Sequence, residues 1–310
     1  MISQSLADEL RAAVRGDVLF DAVSRALYAT DASIYQATPQ GVVCPRDAED
    51  VAAVLRVARR YGVPLLARGG GTSLAGQVVG RGIQLDFSRY MHRVLEVNAA
   101  EGWAWVEPGI VLDELNAQLA AYGLKFAPDV APANRATIGG MIGNNSSGMY
   151  SLAYGKTIDH VLELRVMLAD GSVAQFGPLG DDELRAKLLL DNLEGRAYRA
   201  VRRLACEHAE EIDRRFPKLL RRVGGYNLDA FVPMTNHRPL AIDEQGHAES
   251  SENNGGWPMV GRRAFNMANI VVGAEGTLAL VTAAKLRLVP RPAHTAIGIL
   301  AFASLDEALA

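Results

Sequence analysis

Residues 64–77 read PLLARGGGTSLAGQ, a short apolar strand that runs directly into three consecutive glycines. The glycines at positions 69–71 have no Cβ atom, so their backbone can approach a ligand closely. Successive free N–H groups in such a loop form a concavity that suits a phosphate or a diphosphate. Thr72 and Ser73 add hydroxyl groups at the same place. The stretch therefore predicts an anion-binding loop after a strand, with an ordinary tight glycine turn as the alternative.

Two well-known phosphate loops do not fit this stretch. The dinucleotide fingerprint G-x-G-x-x-G fails because Leu74 stands where the third glycine belongs. The P-loop fails because Gln77 and Val78 replace the lysine and the hydroxyl residue that follow its last glycine. Without that lysine, no charge is available for the terminal phosphates of a nucleoside triphosphate. The sequence therefore argues against ATP or GTP as the ligand of this loop.

The composition of the 310-residue chain is that of a soluble globular protein, with 49% hydrophobic and 22% charged residues. A formal net charge of -3 argues against a nucleic-acid-binding protein. Cys44 and Cys206 are too few for a disulfide framework, a zinc site or an iron–sulfur cluster. Cys206 lies on a helical apolar stripe, which predicts a place in the core.

Signals for export or membrane insertion are missing from the sequence. Charged residues appear as early as Asp8, Glu9 and Arg11, and no uncharged apolar stretch is long enough to span a bilayer. The sequence therefore predicts a cytoplasmic location without a transmembrane segment. Peripheral association of a longer protein with the inner face of the membrane stays open.

The order of the predicted elements begins with helices and a β-α-β unit. Residues 1–30 have apolar residues at helical spacing and predict a helical lead-in. A strand at 42–43, a helix that begins after Asp47 and ends at Gly62, and a strand at 63–67 deliver the glycine loop. Further strands are predicted at 83–87, 94–97, 103–107, 161–168, 173–176, 270–273 and 279–288, and further helices at 112–119 and 194–215.

Two long stretches lack the periodicity of helices or strands. Residues 126–159 are rich in Gly, Asn, Ser and Pro, which predicts a binding loop, with a plain surface loop as the alternative. Residues 236–261 are polar and predict a mobile insertion. No cysteine or carboxylate partner is assigned to His237 or His247 in that insertion, so no metal site is predicted.

The end of the chain predicts the opening of another domain. Residues 296–302 predict a new strand, and Ser304 with Glu307 forms a capping box that predicts a helix. A helix this short is not stable by itself. The expectation from sequence is therefore the start of a truncated substrate or cap domain.

Six motifs in this order resemble one family of flavoproteins. They are RGGGTSLAGQ at 68–77, ATIGG at 136–140, NSSG at 145–148, YGK at 154–156, LADG at 168–171 and GAEGTL at 273–278. The motifs resemble the FAD-binding domain of the vanillyl-alcohol oxidase or p-cresol methylhydroxylase (PCMH) type. Within that family, the branch of D-lactate dehydrogenase, glycolate oxidase and D-2-hydroxyglutarate dehydrogenase is the most similar. Long bacterial fusions of a flavoprotein half with an iron–sulfur half are more similar still. The resemblance covers about residues 30–290.

The resemblance implies an α+β fold in which two α/β subdomains hold FAD between them. It divides the chain into a helical lead-in at 1–35, an FAD-binding domain at 36–290 and the start of a cap domain at 291–310. The two subdomains of the FAD-binding domain are expected at about 36–95 and 96–290.

The resemblance also implies which residues contact FAD. The diphosphate would lie on Gly69, Gly70, Gly71, Thr72 and Ser73. Thr137, Gly140, Asn145 and Ser147 would lie along the ribityl chain and the isoalloxazine, and Glu275 and Gly276 would hold the adenosine end. Arg68, Gln77, Asp129, Gly139 and Gly148 complete the expected set. Relatives that bind FAD covalently through this loop have histidine where this chain has Thr72, so non-covalent FAD is expected.

The activity implied by the resemblance is oxidation of a small D-2-hydroxy acid (lactate, glycolate or 2-hydroxyglutarate type) by hydride transfer to flavin N5. The cap domain would supply a metal site and carboxylate-binding arginines, and an iron–sulfur domain or subunit would accept electrons. No catalytic residue is assigned within the chain, and Ala153 replaces an arginine found in many relatives. We therefore expect FAD binding with little turnover by the chain alone. The alternatives are a non-catalytic flavin electron relay and a sugar-nucleotide reductase.

Overall fold

Two larger β-sheets with helices packed on them and two sheets of two short strands each are present in the computed structural model. The model describes residues 2–232, 264–294, 296, 298 and 300–309. The strands are β1 (Asp17–Leu19), β2 (Gly41–Cys44), β3 (Leu65–Arg68), β4 (Ile83–Asp86), β5 (Val94–Asn98), β6 (Trp103–Val106), β7 (Leu124–Lys125), β8 (Val161–Met167), β9 (Val173–Phe176), β10 (Pro178–Leu179), β11 (Phe265–Asn266), β12 (Leu280–Arg287) and β13 (Val289–Pro290). The helices are α1 (Ile2–Ala13), α2 (Ala22–Leu27), α3 (Ala48–Tyr61), α4 (Leu112–Leu119), α5 (Ile138–Asn144), α6 (Ser151–Tyr154), α7 (Thr157–His160), α8 (Asp181–Leu189), α9 (Leu193–Glu207), α10 (Ala209–Arg215), α11 (Ala268–Val271) and α12 (Leu305–Leu309).

The first sheet has the strand order β1-β2-β4-β3 and delivers the glycine loop at the end of β3. Strands β2 and β3 both pair with β4 in parallel, and α3 connects β2 to β3. The Asp47 side chain accepts hydrogen bonds from the N–H groups of Glu49 and Asp50, and Gly62 ends α3 with φ 64°. Both predicted ends of this helix are confirmed, because each depends on a local capping interaction.

The predicted helical lead-in is confirmed for α1 and α2, but residues 17–19 between the two helices form β1. Leu6 and Leu10 are buried on α1, but Val18 lies in β1, where it pairs with Val43. Gly16 allows this change of direction, because a Cβ atom there would lie 2.0 Å from the carbonyl oxygen of Cys44. Residues 17–19 are therefore part of the first sheet. The domain boundaries at 35 and 290 stay a prediction.

The second sheet is antiparallel, with the strand order β5-β6-β12-β8-β9. The predicted hairpin of β8 and β9 is confirmed, with Gly171 at φ 89° in its turn. Helices α4, α5, α9 and α11 contribute buried residues to the core on this sheet. One partly parallel and one antiparallel sheet, each with helices, confirm the α+β class.

Several predictions about single elements are wrong. Residues 126–159 are not irregular throughout: they contain α5, α6 and most of α7, and Ile138, Met141 and Ile142 are buried at helical spacing on α5. Residues 268–271 form a helical turn instead of the predicted strand at 270–273, and the predicted helix at 194–215 is interrupted at His208. Cys206 is exposed, because it follows the buried stripe of α9 by one position.

The C-terminal prediction is correct only for its helix. Residues 296, 298 and 300–302 are not in a strand. Glu307 N donates to Ser304 Oγ at 3.3 Å, as the predicted capping box requires, but Glu307 Oε2 accepts from Ala303 N at 3.2 Å instead of from Ser304 N. The predicted insertion at 236–261 lies outside the described residues. None of the helices in the described ranges is long and apolar enough to cross a membrane.

Candidate functional site

A cleft lies where the end of β3, the start of α5 and the segment before β12 meet. It holds about 700 Å³ of space free of protein atoms, counting the solvent at its mouth. Five of its lining residues are glycines, so much of its wall is main chain. The lining residues are Ala67, Arg68, Gly69, Gln77, Val78, Phe87, Pro108, Thr137, Gly139, Gly140, Ile142, Gly143, Asn144, Val271, Ala274, Glu275, Gly276, Ala279 and Val281.

The glycine loop packs directly on the segment that leads into α5. A Cβ atom at Gly69 would lie 2.0 Å from Thr137 Oγ1, and one at Gly70 would lie 2.2 Å from the carbonyl oxygen of Arg135. Gly71 has φ 64°, a conformation that favours glycine. Side chains at these positions would push the two walls of the cleft apart. The predicted need for glycine thus has a steric reason.

The loop also presents main-chain donors. Within the part of the chain that the structure describes, no protein atom accepts a hydrogen bond from the N–H groups of residues 70–73. Buried or half-buried N–H groups without a protein partner are costly unless water or a ligand accepts from them. Consecutive free N–H groups are the kind of donor set that binds a phosphate or diphosphate.

The second wall of the cleft is α5, a short helix rich in glycine. Thr137 is its N-cap and accepts a hydrogen bond from Gly140 N at 3.3 Å, and Gly139 N donates to the carbonyl oxygen of Pro108 at 2.7 Å. Three of its seven residues are glycines, so its backbone is accessible to a ligand. The helix ends at Asn145, which has φ 47°.

The third wall is the segment 273–276, which is attached to the end of α5. Gly273 N donates to the carbonyl oxygen of Ile142 at 2.9 Å, and Glu275 N donates to that of Gly143 at 3.0 Å. The second bond satisfies a carbonyl group at the helix end, whereas the carbonyl oxygen of Ile142 also accepts from Asn145 N at 3.2 Å. Glu275 has φ 52°, which is unusual for a residue other than glycine.

Gln77 and Glu275 form a polar pair across the cleft. Gln77 Nε2 donates to Glu275 Oε1 at 3.5 Å, which is a long hydrogen bond. Gln77 Oε1 is buried and has no hydrogen-bond partner among the described residues. A carboxylate and an amide oxygen both accept hydrogen bonds. This end of the cleft therefore lacks a donor, which a hydroxyl or amino group of a ligand would provide.

The predicted FAD-contacting residues divide into two equal groups. Eight of them line the cleft: Arg68, Gly69, Gln77, Thr137, Gly139, Gly140, Glu275 and Gly276. The other eight are not among the lining residues: Gly70, Gly71, Thr72, Ser73, Asp129, Asn145, Ser147 and Gly148. Of these, the four from the glycine loop follow Gly69 directly, so a ligand in the cleft that extends along the loop would reach them.

The side chains of Asp129 and Asn145 accept hydrogen bonds from main-chain N–H groups in and next to α6 and α7. The Asp129 carboxylate accepts hydrogen bonds from Met149 N at 3.1 Å and Tyr150 N at 2.9 Å. Asn145 Oδ1 accepts from Ile158 N at 3.0 Å, and Asn145 Nδ2 is buried without a partner in the described ranges. The side chain of Asp129 thus has a structural role in this loop.

The structure adds lining residues that the sequence alone did not identify. Gly143 and Asn144 lie between predicted residues of the same glycine-rich stretch, so their position was a usable signal. Phe87, Ile142 and Val281 are apolar, and nothing in the sequence separates them from ordinary core residues. Pro108 also lines the cleft, and its carbonyl oxygen accepts a hydrogen bond from Gly139 N.

Comparisons with known proteins agree with this geometry. Residues 39–177 match the family described as FAD binding domain. The chain is 39% identical over 301 residues to a D-2-hydroxyglutarate dehydrogenase of Pseudomonas putida, which covers 95% of this chain and 27% of that protein. It is 33% identical over 182 residues to the glycolate oxidase subunit GlcD of Bacillus subtilis, which covers 57% of this chain and 38% of that protein.

A solved structure shows the same fold. The structure of an alkyldihydroxyacetonephosphate synthase matches with a TM-score of 0.60 and 20% identity, over 94% of this chain and 44% of that chain. The present chain spans about a quarter of the length of the D-2-hydroxyglutarate dehydrogenase that it matches. The glycine loop and α5 both fall within residues 39–177. Residues 39–177 are therefore similar to an FAD-binding domain, and the chain as a whole is similar in sequence to the D-2-hydroxyglutarate dehydrogenases.

Proposed function

We propose that this chain is the FAD-binding portion of a flavin-dependent dehydrogenase that oxidises a D-2-hydroxy acid. The similarity to D-2-hydroxyglutarate dehydrogenase extends over 95% of the chain, whereas that to the glycolate oxidase subunit covers 57%. This difference favours a substrate of the 2-hydroxyglutarate type over glycolate or lactate. FAD, when bound, supplies the hydride acceptor, and the residues of this chain bind and orient it.

The observation that carries the proposal is the match between the cleft and a flavin nucleotide. The free N–H groups of residues 70–73 suit a diphosphate, and the main chain of α5 and segment 273–276 is accessible because glycines line it. Gln77 Oε1 and Glu275 accept hydrogen bonds where a sugar hydroxyl or an amino group would donate them. On this basis we propose that the predicted residues lining the cleft, together with Gly70, Gly71, Thr72 and Ser73, contact FAD, and that Thr72 leaves the cofactor non-covalent.

The remaining parts of the catalytic cycle are proposed to lie outside these 310 residues. The chain spans 27% of the related Pseudomonas dehydrogenase. A substrate carboxylate needs a paired cation, and a base must reach its 2-hydroxyl group. We propose that a cap domain supplies both and that an iron–sulfur domain or subunit accepts the electrons. We place the whole protein in the cytoplasm, which agrees with the two free cysteines of this chain.

The first experiment is a titration of the purified chain with FAD, followed by its flavin fluorescence and its absorbance. We expect saturable binding of FAD and much weaker binding of FMN, which lacks the adenosine monophosphate part. Heating the complex should release all of the yellow pigment into the supernatant, as non-covalent binding requires. A chain that binds neither flavin would contradict the proposal.

The second experiment tests the substrate on the longest available form of the protein with an artificial electron acceptor. We expect reduction of the acceptor by D-2-hydroxyglutarate and not by its L-enantiomer, with D-lactate and glycolate as slower or inactive comparisons. Reduction by none of these acids would favour an electron relay. Flavin reduction by NADPH would favour a sugar-nucleotide reductase.

A further inference from the structure

Residues 28–35 lie before the matched FAD-binding domain, yet they contact the glycine loop at several points. We call this segment the brace. Ala32 N donates to the carbonyl oxygen of Gly71 at 3.0 Å. A Cβ atom at Gly76 would lie 2.7 Å from the ring of Tyr35. The brace therefore touches both the beginning and the end of the loop.

Arg68 connects the brace to both ends of the loop. Its Nη2 donates to the carbonyl oxygen of Thr30 at 2.8 Å, and its Nη1 lies 3.3 Å from that of Tyr28 and 3.5 Å from that of Val78. The guanidinium also lies over the ring of Tyr28, 5.0 Å from its centre. Arg68 lies just before the glycines and Val78 lies just after Gln77, so the Arg68 side chain links the two ends of the loop.

The charge of Arg68 is compensated inside the protein. Asp86, which is 5% exposed, and Asp31 both act on it electrostatically. Tyr28 Oη donates to Asp86 Oδ2 at 2.6 Å, and Asp31 Oδ2 is buried without a hydrogen-bond partner in the described part of the chain. The Arg68 guanidinium thus has carbonyl, aromatic and carboxylate neighbours. The free N–H groups of residues 70–73 remain as the donors for a diphosphate.

We infer that Arg68 is a positioning residue, whose planar guanidinium holds the glycine loop on the brace and does not pair with the diphosphate of the cofactor. The inference rests on the proposed binding of FAD in this cleft. It assigns the brace, which lies outside the matched domain, to the cofactor site. The competing role for Arg68 is that of a counter-ion, which would need only its positive charge.

The test compares Arg68→Lys with Arg68→Gln. Lysine keeps the charge but cannot reach three carbonyl groups in a fixed fork. We expect both variants to bind FAD about tenfold or more weakly, which corresponds to the loss of one or two charged hydrogen bonds. The dependence of FAD affinity on salt concentration should be the same in the wild type and both variants. Recovery of wild-type affinity in Arg68→Lys alone would overturn the inference.

A second measurement does not depend on FAD. Hydrogen exchange in the cofactor-free protein reports on Ala32 N–H, which binds Gly71, and on Val79 N–H, which donates to the carbonyl oxygen of Gly76 at 3.0 Å. We expect both amides to exchange at least about tenfold faster in the Arg68 variants and in Tyr28→Leu, which keeps Arg68. Unchanged exchange at both amides in all three variants would overturn the inference.

The matched control is Arg25→Lys. Arg25 Nε donates to the carbonyl oxygen of Pro39 at 2.8 Å, so it also binds a main-chain carbonyl, but it does not contact the loop. This variant should leave FAD affinity and the exchange of both amides unchanged. If Arg25→Lys weakened FAD binding and accelerated exchange as much as the Arg68 variants do, the role assigned to Arg68 would be overturned. If the wild type itself binds no FAD, the proposed function fails, and the exchange measurement still decides whether Arg68 holds the loop.

Discussion

Gly69 and Thr137 are in contact where the glycine loop meets the first turn of α5. A Cβ atom at Gly69 would lie 2.0 Å from Thr137 Oγ1 and 3.2 Å from Thr137 Cβ. Thr137 is 1% exposed and its hydroxyl oxygen already accepts from Gly140 N, so it has little freedom to move. The contact therefore fixes the separation between the loop of the first sheet and the helix that packs on the second.

Replacing Gly69 by alanine should open the cleft. We expect Gly69→Ala to lower the free energy of unfolding by about 1–3 kcal/mol, because an inserted methyl group strains a filled site. FAD affinity should fall by at least about tenfold, since the loop and α5 move apart. Urea unfolding and a fluorescence titration measure the two effects.

The control for this variant is Gly224→Ala. A Cβ atom at Gly224 would have nothing within 4 Å, so the change should leave both stability and FAD affinity as they are. Wild-type binding and stability in Gly69→Ala would show that the loop can shift without consequence.

Replacing Gln77 by methionine should raise the stability of the cofactor-free protein and weaken the binding of FAD. Its Oε1 is buried without a partner among the described residues, so the cofactor-free protein carries an unsatisfied acceptor. We expect Gln77→Met, which has a similar shape, to raise the free energy of unfolding of the cofactor-free protein by about 1 kcal/mol. The same variant should bind FAD about five- to tenfold more weakly, because one acceptor for the ligand is lost.

Thermal unfolding with and without FAD measures both parts of this prediction. Gln175→Met is the control, because Gln175 is an exposed residue of β9. It should change stability by less than about 0.5 kcal/mol and leave FAD affinity unchanged. A fall in the stability of cofactor-free Gln77→Met would mean that its amide stabilises the protein without a ligand.

Glu275 combines a strained backbone with a side chain in the cleft. Its φ of 52° costs about 1 kcal/mol for any residue that has a Cβ atom. We therefore expect Glu275→Gly to be about 1 kcal/mol more stable to unfolding than Glu275→Ala. Both variants should bind FAD equally weakly, since both lack the carboxylate.

The pair of variants separates the backbone from the side chain at this position. Urea unfolding of both proteins gives the difference in stability, and titration with FAD gives the affinities. If Glu275→Gly binds FAD as tightly as the wild type, the carboxylate has no part in binding and only the backbone conformation matters.

Features that depend on neighbouring residues could be predicted from the sequence. Asp47 and Gly62 marked the two ends of α3, and the Asp170-Gly171 turn marked the hairpin of β8 and β9. The glycines at 69–71 marked the loop. In each case the decisive hydrogen bond or backbone angle lies within about four residues of the signal.

Features that depend on distant residues could not be predicted. Ile270 and Val271 are β-branched and typical of strands, yet they form part of the helical turn α11, which is packed in the core. The side chain of Asn266, just before this turn, accepts a hydrogen bond from Ala268 N. The pair of Gln77 and Glu275 joins residues 198 positions apart. No spacing in the sequence indicates that these two side chains meet, and only the arrangement of the two sheets brings them together.

His160 should make the stability of the protein depend on pH. It is 5% exposed, its Nε2 donates to the carbonyl oxygen of Tyr154 at 2.6 Å, and its ring packs against the ring of Phe126. Burial lowers the pKa of His160 below the ordinary value of 6.5. In the unfolded chain the ring takes up a proton more readily than in the folded protein. Its contribution to stability is therefore complete above pH 6.5 and is lost as the pH falls from 6.5 towards the pKa of the folded state.

Urea unfolding of the wild type and His160→Gln between pH 7.5 and pH 5 tests this dependence. We expect the free energy of unfolding of the wild type to fall more steeply than that of the variant, by at most about 1.4 kcal/mol per pH unit for one proton. His208→Gln is the control, because His208 is exposed, and it should keep the steep wild-type slope. Equal slopes in the wild type and His160→Gln would show that the buried ring does not couple folding to pH.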